Sequence, residues 1–130
     1  NNTNVFTFST HGKTNYPFKK EQSDLDIAFA DGTTDSEFLS VIEIQIPLLI
    51  EQQKPDFIFY LAGVDILSTD KLGKLSCTLD GCKTRDSIVF ENCLKYQIPV
   101  QVSMGGGYSP EIKTIIEAHA NTYRVAKDVF

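Results

Sequence analysis

Apolar residues fall into two rhythms along this chain. Short runs rich in β-branched and aromatic residues, bounded by turn signals, predict buried parallel strands. They are Val5-Phe6-Thr7-Phe8, Phe57-Ile58-Phe59-Tyr60-Leu61 and Ile98-Pro99-Val100-Gln101-Val102. Helical spacing fills the intervals. The first helix opens at Thr34, with Glu37 three residues on in capping-box spacing, and runs through Phe38, Val41 and Ile42 to about Gln53. Ile42, Ile44 and Ile46 alternate like a strand and Pro47 sits inside the pattern, which predicts a kink or break there. A second helix follows Thr78, turns Cys82, Val89, Cys93 and Leu94 inward, and ends before Ile98. The third has Ser109 as N-cap, Pro110 at the first helical position and Glu111 at the positive end of the dipole. Ile112, Ile115, Ile116 and His119 follow at helical spacing. Strands alternating with helices predict right-handed βαβ units: an α/β fold with a partial, open parallel sheet flanked by helices.

Composition narrows the function classes. A chain of 130 residues holds one domain with a real core and is too short for two. A net charge of -5 argues against binding a nucleic-acid backbone, which needs a basic patch, and lends slight weight to a cationic substrate. Cys77, Cys82 and Cys93 are odd in number and lack CxxC spacing, so they read as buried free thiols in a reducing compartment. No apolar run approaches the roughly 20 residues of a membrane span. Residues 1–15 are polar and lack a signal-peptide core, so the expected location is cytoplasmic. Asn1-Asn2-Thr3-Asn4 lead straight into an apolar segment, as though the chain began inside a larger domain.

Ligands of open α/β sheets bind beyond the carboxyl ends of the strands. The expected rim therefore gathers Ser9, Thr10 and His11 after the first strand, Asp65 after the second, and Gly105-Gly106-Gly107-Tyr108 after the third. A carboxylate straight after an apolar run must be paired or metal-bound, or else caps the next turn; both readings of Asp65 stay open. The triple glycine reads equally as a tight turn or a phosphate loop, though it has neither GxGxxG spacing nor a following Lys-Ser/Thr. His119 is expected to be structural and far from the rim.

Together these segments resemble the histone deacetylase family. The string from Ala62-Gly63-Val64-Asp65 to Lys74-Leu75-Ser76 resembles its metal-binding loop. Gly81, Arg85-Asp86 and Gly105-Gly106-Gly107-Tyr108-Ser109 follow in its order, and Phe6-Thr7-Phe8-Ser9-Thr10-His11 with Tyr16-Pro17 fits upstream. The match covers essentially the whole chain and is most similar to the small bacterial and class IV-like branch. The resemblance implies an arginase/deacetylase-like fold and a catalytic zinc with Asp65 as its second aspartate ligand. It implies Tyr108 as the donor to the tetrahedral oxyanion, and Leu72, Tyr16, Gly106 and Gly107 as the substrate-binding positions around an acyl-lysine tunnel. Ser9, Thr10 and His11 match a site for a monovalent cation, K+ or Na+, bound partly through backbone carbonyls. The implied substrates are acetylated lysines or polyamines.

One departure matters. The family's remaining zinc ligands, on an Asp-x-His segment, and its paired catalytic histidines are not found in this sequence. Family order places both before residue 1. The chain is thus expected to be the C-terminal part of a single deacetylase domain, inactive alone, that self-associates or needs its missing half. Two other readings stay open: a non-catalytic, self-associating α/β module and an unrelated nucleotide-binding α/β domain using Gly105–Gly107.

Overall fold

In the computed structural model, which describes residues 4–130, seven elements follow in chain order. They are β1 (Phe8–Gly12), β2 (Leu25–Phe29), α1 (Asp35–Gln53), β3 (Ile58–Gly63), α2 (Leu79–Lys95), β4 (Val100–Gly105) and α3 (Ile112–Val129). The expected interruption at Asn1–Thr3 lies outside the described residues. The fold is α/β and its strand pairs are parallel, as expected. The sheet, however, is split among the described residues: β1 pairs with β2, in register Phe8↔Leu25, and β3 with β4, in register Ile58↔Val100.

Several boundaries differ from the sequence expectation. The first strand starts at Phe8 rather than Val5, so Ser9, Thr10 and His11 lie within it and not beyond it. Hydrogen bonding to β2 sets this strand, whereas the apolar run only leads into it. The segment Leu25-Asp26-Ile27-Ala28-Phe29 is a strand the expectation omitted; its residues alternate between half-buried and exposed up to a buried Phe29. The third expected strand begins at Val100 and reaches Gly105.

Helix α1 starts at the expected cap: the Thr34 N–H donates to the Glu37 carboxylate at 3.3 Å. It passes unbroken through Pro47, because its buried side, Phe38, Ile42 and Ile50, packs on both sides of the proline. Thr78 caps α2 by accepting from the Gly81 N–H at 2.9 Å. Asp35 at the start of α1 accepts from the Thr78 N–H and hydroxyl, which joins the two helix N-termini. Cys82, Val89 and Cys93 point inward as expected, but Leu94 is half exposed. In α3 the inward face is Ala118, Thr122 and Val125, not Ile112 and Ile116, which are mostly exposed. Small residues on that face let α3 approach α2 closely. The helix also begins later than expected, after Glu111, because Ser109 is engaged elsewhere.

The core gathers Phe38, Ile42, Val64, Leu67, Leu75, Cys77 and Cys82 between the helices and the loop after β3. Full burial of a side chain such as Phe38 contributes about 1.5–3 kcal/mol. All three cysteines are free and buried. Burial pushes the Cys77 thiol up to about 12 and the Cys93 thiol up to about 11, so neither is a nucleophile near neutral pH.

Candidate active site

Two strand ends build the rim. The Val64 N–H donates to the Gly105 carbonyl at 2.9 Å, which holds the exits of β3 and β4 side by side. Asp65 follows, half-buried, in a cradle that only glycine leaves open. A Cβ at Gly106 would stand 2.7 Å from Asp65 Oδ1, and one at Gly63 would stand 2.8 Å from the same atom. Gly106 also adopts φ +63°, a left-handed conformation that glycine takes without strain. Burial, foremost, raises the Asp65 carboxyl above the usual carboxylate range; the nearby Asp70 adds to this, while the Asp65 backbone N–H and Arg85 oppose it. Neither ion pair among the described residues, Arg85–Asp86 or Arg124–Glu117, includes Asp65. It is therefore a carboxylate kept half-desolvated without an ion-pair partner.

A buried network fixes this rim from below. Arg85 Nη1 donates to the Gly63 carbonyl at 2.6 Å, and its Nε and Nη2 donate to Asp86 Oδ1 at 3.0 and 2.8 Å. The Tyr60 hydroxyl donates to the same oxygen, and Thr122 Oγ1 donates to Asp86 Oδ2 at 2.6 Å. Burial, foremost, holds the Tyr60 phenol protonated far above its ordinary range, which keeps it a donor. One arginine on α2 thus ties the end of β3 to α2, and its carboxylate partner ties in α3.

Asp70 organises the upper face. Its Oδ1 accepts from the Leu72 and Gly73 N–H groups at 2.8 and 2.7 Å, and its Oδ2 accepts from the Tyr108 N–H at 2.6 Å. Thr69 Oγ1 and Ser109 Oγ lie 2.6 Å apart beside it. The loop carrying Leu72 and the loop carrying Tyr108 are stapled together, with both side chains about half exposed. Sequence reasoning missed this role of Asp70. The signal was an Asp two residues before Leu72, the spacing of an Asx turn, with Gly73 next.

A cavity of about 520 Å³ brings Ser9 and Thr10 together with Asp65 and Gly106. His11 turns its ring to Ser9, with Ser9 Oγ 2.9 Å from His11 Nδ1. Tyr16 is not part of that lining; it stands 73% exposed, edge-on to Phe18. His119 is not far from the rim as expected: its Nε2 lies 3.7 Å from where a Gly107 Cβ would stand, directly beneath the glycine loop. Among the described residues no group of three or more His, Cys, Asp or Glu side chains converges to hold a metal. Asp65 suits one oxygen ligand, but these residues alone do not make a zinc site.

A family model described as the histone deacetylase domain matches residues 1–123. An uncharacterized protein of Picosynechococcus sp. is 40% identical over 126 residues, covering 97% of this chain and 42% of that protein. Histone deacetylase 2 of Arabidopsis thaliana is 29% identical over 115 residues, 86% of this chain and 30% of its own length. Among solved structures, an acetylpolyamine aminohydrolase from Burkholderia pseudomallei superposes with a TM-score of 0.78 at 18% identity, over 96% of this chain and 38% of that one. A histone deacetylase homolog from Aquifex aeolicus gives 0.69 at 23% identity, over 96% and 39%. The chain therefore spans less than half the length of the relatives it matches. With a family model covering nearly its whole length, the chain belongs to the histone deacetylase family.

Proposed function

We propose that this chain is the C-terminal part of a zinc-dependent deacetylase domain that removes N-acetyl groups from acetyl-lysine or acetylpolyamine substrates. The observation that carries the reading is the Asp65 cradle. Gly63 and Gly106 leave room for an unpaired, half-buried carboxylate at a strand end, and the same glycine loop presents Tyr108. A bound zinc would polarise the amide carbonyl and acidify a water. The residues of this chain do the rest of what it contributes. Asp65 supplies one oxygen ligand, and Tyr108 donates its phenol hydrogen to the oxygen that becomes negative as the amide is attacked. Leu72 and the Gly106–Gly107 backbone line the approach, with Tyr16 further out. Ser9, Thr10 and His11 offer oxygens for a monovalent cation.

With one metal ligand, the isolated chain is inactive and binds zinc no better than a surface carboxylate. The nucleotide-binding alternative loses ground at the same place. The Asp65 carboxylate packs against Gly106, and the Tyr108 N–H is already given to Asp70, so a phosphate would meet two carboxylates.

Two variants of the complete domain test the reading. Asp65→Ala should lose zinc and activity together; retained stoichiometric zinc would remove the ligand assignment. Tyr108→Phe should lower turnover about 10²–10³-fold, roughly 2.7–4 kcal/mol, with substrate affinity and zinc content unchanged. Turnover within a few-fold of the parent would leave Tyr108 a packing residue.

A further inference from the structure

We infer, building on the proposed deacetylase reading, that Lys20 is a positioning residue of the substrate mouth. Its ammonium clamps the loop after β1, so that Tyr16 and Phe18 are held outward where an acylated amine enters.

The loop leaves β1 just past Ser9 and Thr10, which share a cavity with Asp65. Asn15 is buried and Lys20 partly buried, whereas Tyr16, Pro17, Phe18 and Lys19 between them are exposed. The ends of this stretch are turned in and its middle is held out. At the inner end the Asn15 N–H donates to the Gly12 carbonyl at 3.2 Å. The Asn15 side chain packs so closely there that a Cβ at Gly12 would stand 2.3 Å from its Oδ1. Asn15 is therefore an anchor fixed to the end of β1.

Lys20 carries that anchor across Tyr16. Its Nζ donates to the Asn15 carbonyl at 2.6 Å and to the Pro17 carbonyl at 3.0 Å, the two carbonyls that flank Tyr16. Among the described residues no backbone–backbone hydrogen bond holds residues 16–19, so the clamp replaces a ladder. Neither ion pair among them includes Lys20. Two of the three donors of the ammonium thus go to backbone, as charge-assisted bonds that set direction and neutralise no carboxylate. The two rings stand edge to face, with centroids 6.1 Å apart and planes at 86°. They remain 73% and 86% exposed. Large rings kept side by side in water form an apolar patch of the kind that serves contact. The apolar stem of an acylated lysine suits it.

The complete domain tests this with an Nε-acetyl-lysine peptide, by steady-state kinetics and by backbone amide relaxation. Lys20→Met keeps the partly buried stem and deletes the donors. Order parameters at Tyr16 and Phe18 should fall from about 0.85 to below about 0.6. KM should rise about 10-fold with kcat little changed, because the rings bind substrate and transition state alike. Lys20→Arg, whose fork still offers N–H groups to two carbonyls, should restore both. If Lys20 acts through Tyr16, Lys20→Met should raise KM no further in a Tyr16→Ala background. Equal factors in the two backgrounds would overturn that route, as would unchanged order at Tyr16 and Phe18. Order lost with KM unchanged would overturn the part of Lys20 in substrate binding. Should Lys20→Met lower the unfolding midpoint, Lys20→Leu asks the same question. Relaxation needs neither zinc nor substrate. Order lost in a domain that removes no acetyl group would therefore keep the clamp and count against the proposed reaction instead.

Discussion

The two strand pairs are built on different principles. β3 and β4, with α2 and α3, form a unit locked from inside, because the Arg85–Asp86 pair is buried and reaches Gly63, Tyr60 and Thr122. β1 and β2 reach the core through Phe29, which packs on Phe38 with ring centroids 5.1 Å apart, but their side-chain hydrogen bonds lie at the surface. Thr7 and Asp24 share exposed hydrogen bonds at one end, and Thr14 and Asp31 share them at the other. The loop between them leaves Tyr16 and Phe18 largely in solvent. The half that presents Asp65 and Tyr108 is thus pre-set. The half that presents Ser9 and Thr10 has no buried ion pair among the described residues.

The largest effect should come from breaking the lock. Asp86→Ala strands a buried guanidinium and removes the acceptor of Tyr60 and Thr122, which should cost about 3–5 kcal/mol in denaturant unfolding. A loss below about 1 kcal/mol would mean water reaches Arg85, and the contrast between the two halves would fail.

A smaller effect should separate the rim from the scaffold beneath it. Asp70→Asn keeps the side-chain shape, but its single amide oxygen accepts more weakly from Leu72 and Gly73, and its NH2 then faces the Tyr108 N–H with no acceptor to offer. In the complete domain, turnover should fall about 10-fold, near 1.4 kcal/mol, with little change in the unfolding midpoint. Equal losses in Asp70→Asn and Tyr108→Phe would make Asp70 as important as the phenol and not merely its anchor. A fall in stability without one in turnover would make it structural.

What was legible in the sequence follows the same division. Helix α1 was readable from Thr34 and Glu37, because capping is local chemistry. Asp65 was readable because a carboxylate after an apolar run is conspicuous. The position of β1 was not, since Ser9-Thr10-His11 becomes a strand by pairing with Leu25–Phe29 and carries no apolar signal of its own. The alternation in Leu25–Phe29 was present but weak, with acidic and exposed positions between the apolar ones. Ser109 had the type of a helix cap, yet its hydroxyl goes to Thr69, forty positions away in sequence. Ile112 and Ile116 suggested the wrong face of α3, because close packing on α2 selects small residues there. The split between the strand pairs had no local signature, since a strand edge looks the same in sequence whether its neighbour is present or not.

The smallest effect should lie at the surface ties of the β1–β2 pair. The Thr14 hydroxyl donates to the Asp31 carboxylate, whose oxygens lie 2.6 and 2.7 Å away, which in a buried place would matter greatly. Both residues are exposed, so water takes over each role once the hydroxyl is gone. Thr14→Ala should therefore shift unfolding by no more than about 0.5 kcal/mol, against several for Asp86→Ala in the same buffer. The pair should still fray first, with β1 amides exchanging ahead of those in α2 at every denaturant concentration. A cost above about 1.5 kcal/mol for Thr14→Ala, or β1 amides as slow as those of α2, would show a second internal lock in the β1–β2 half. The two pairs would then be equals.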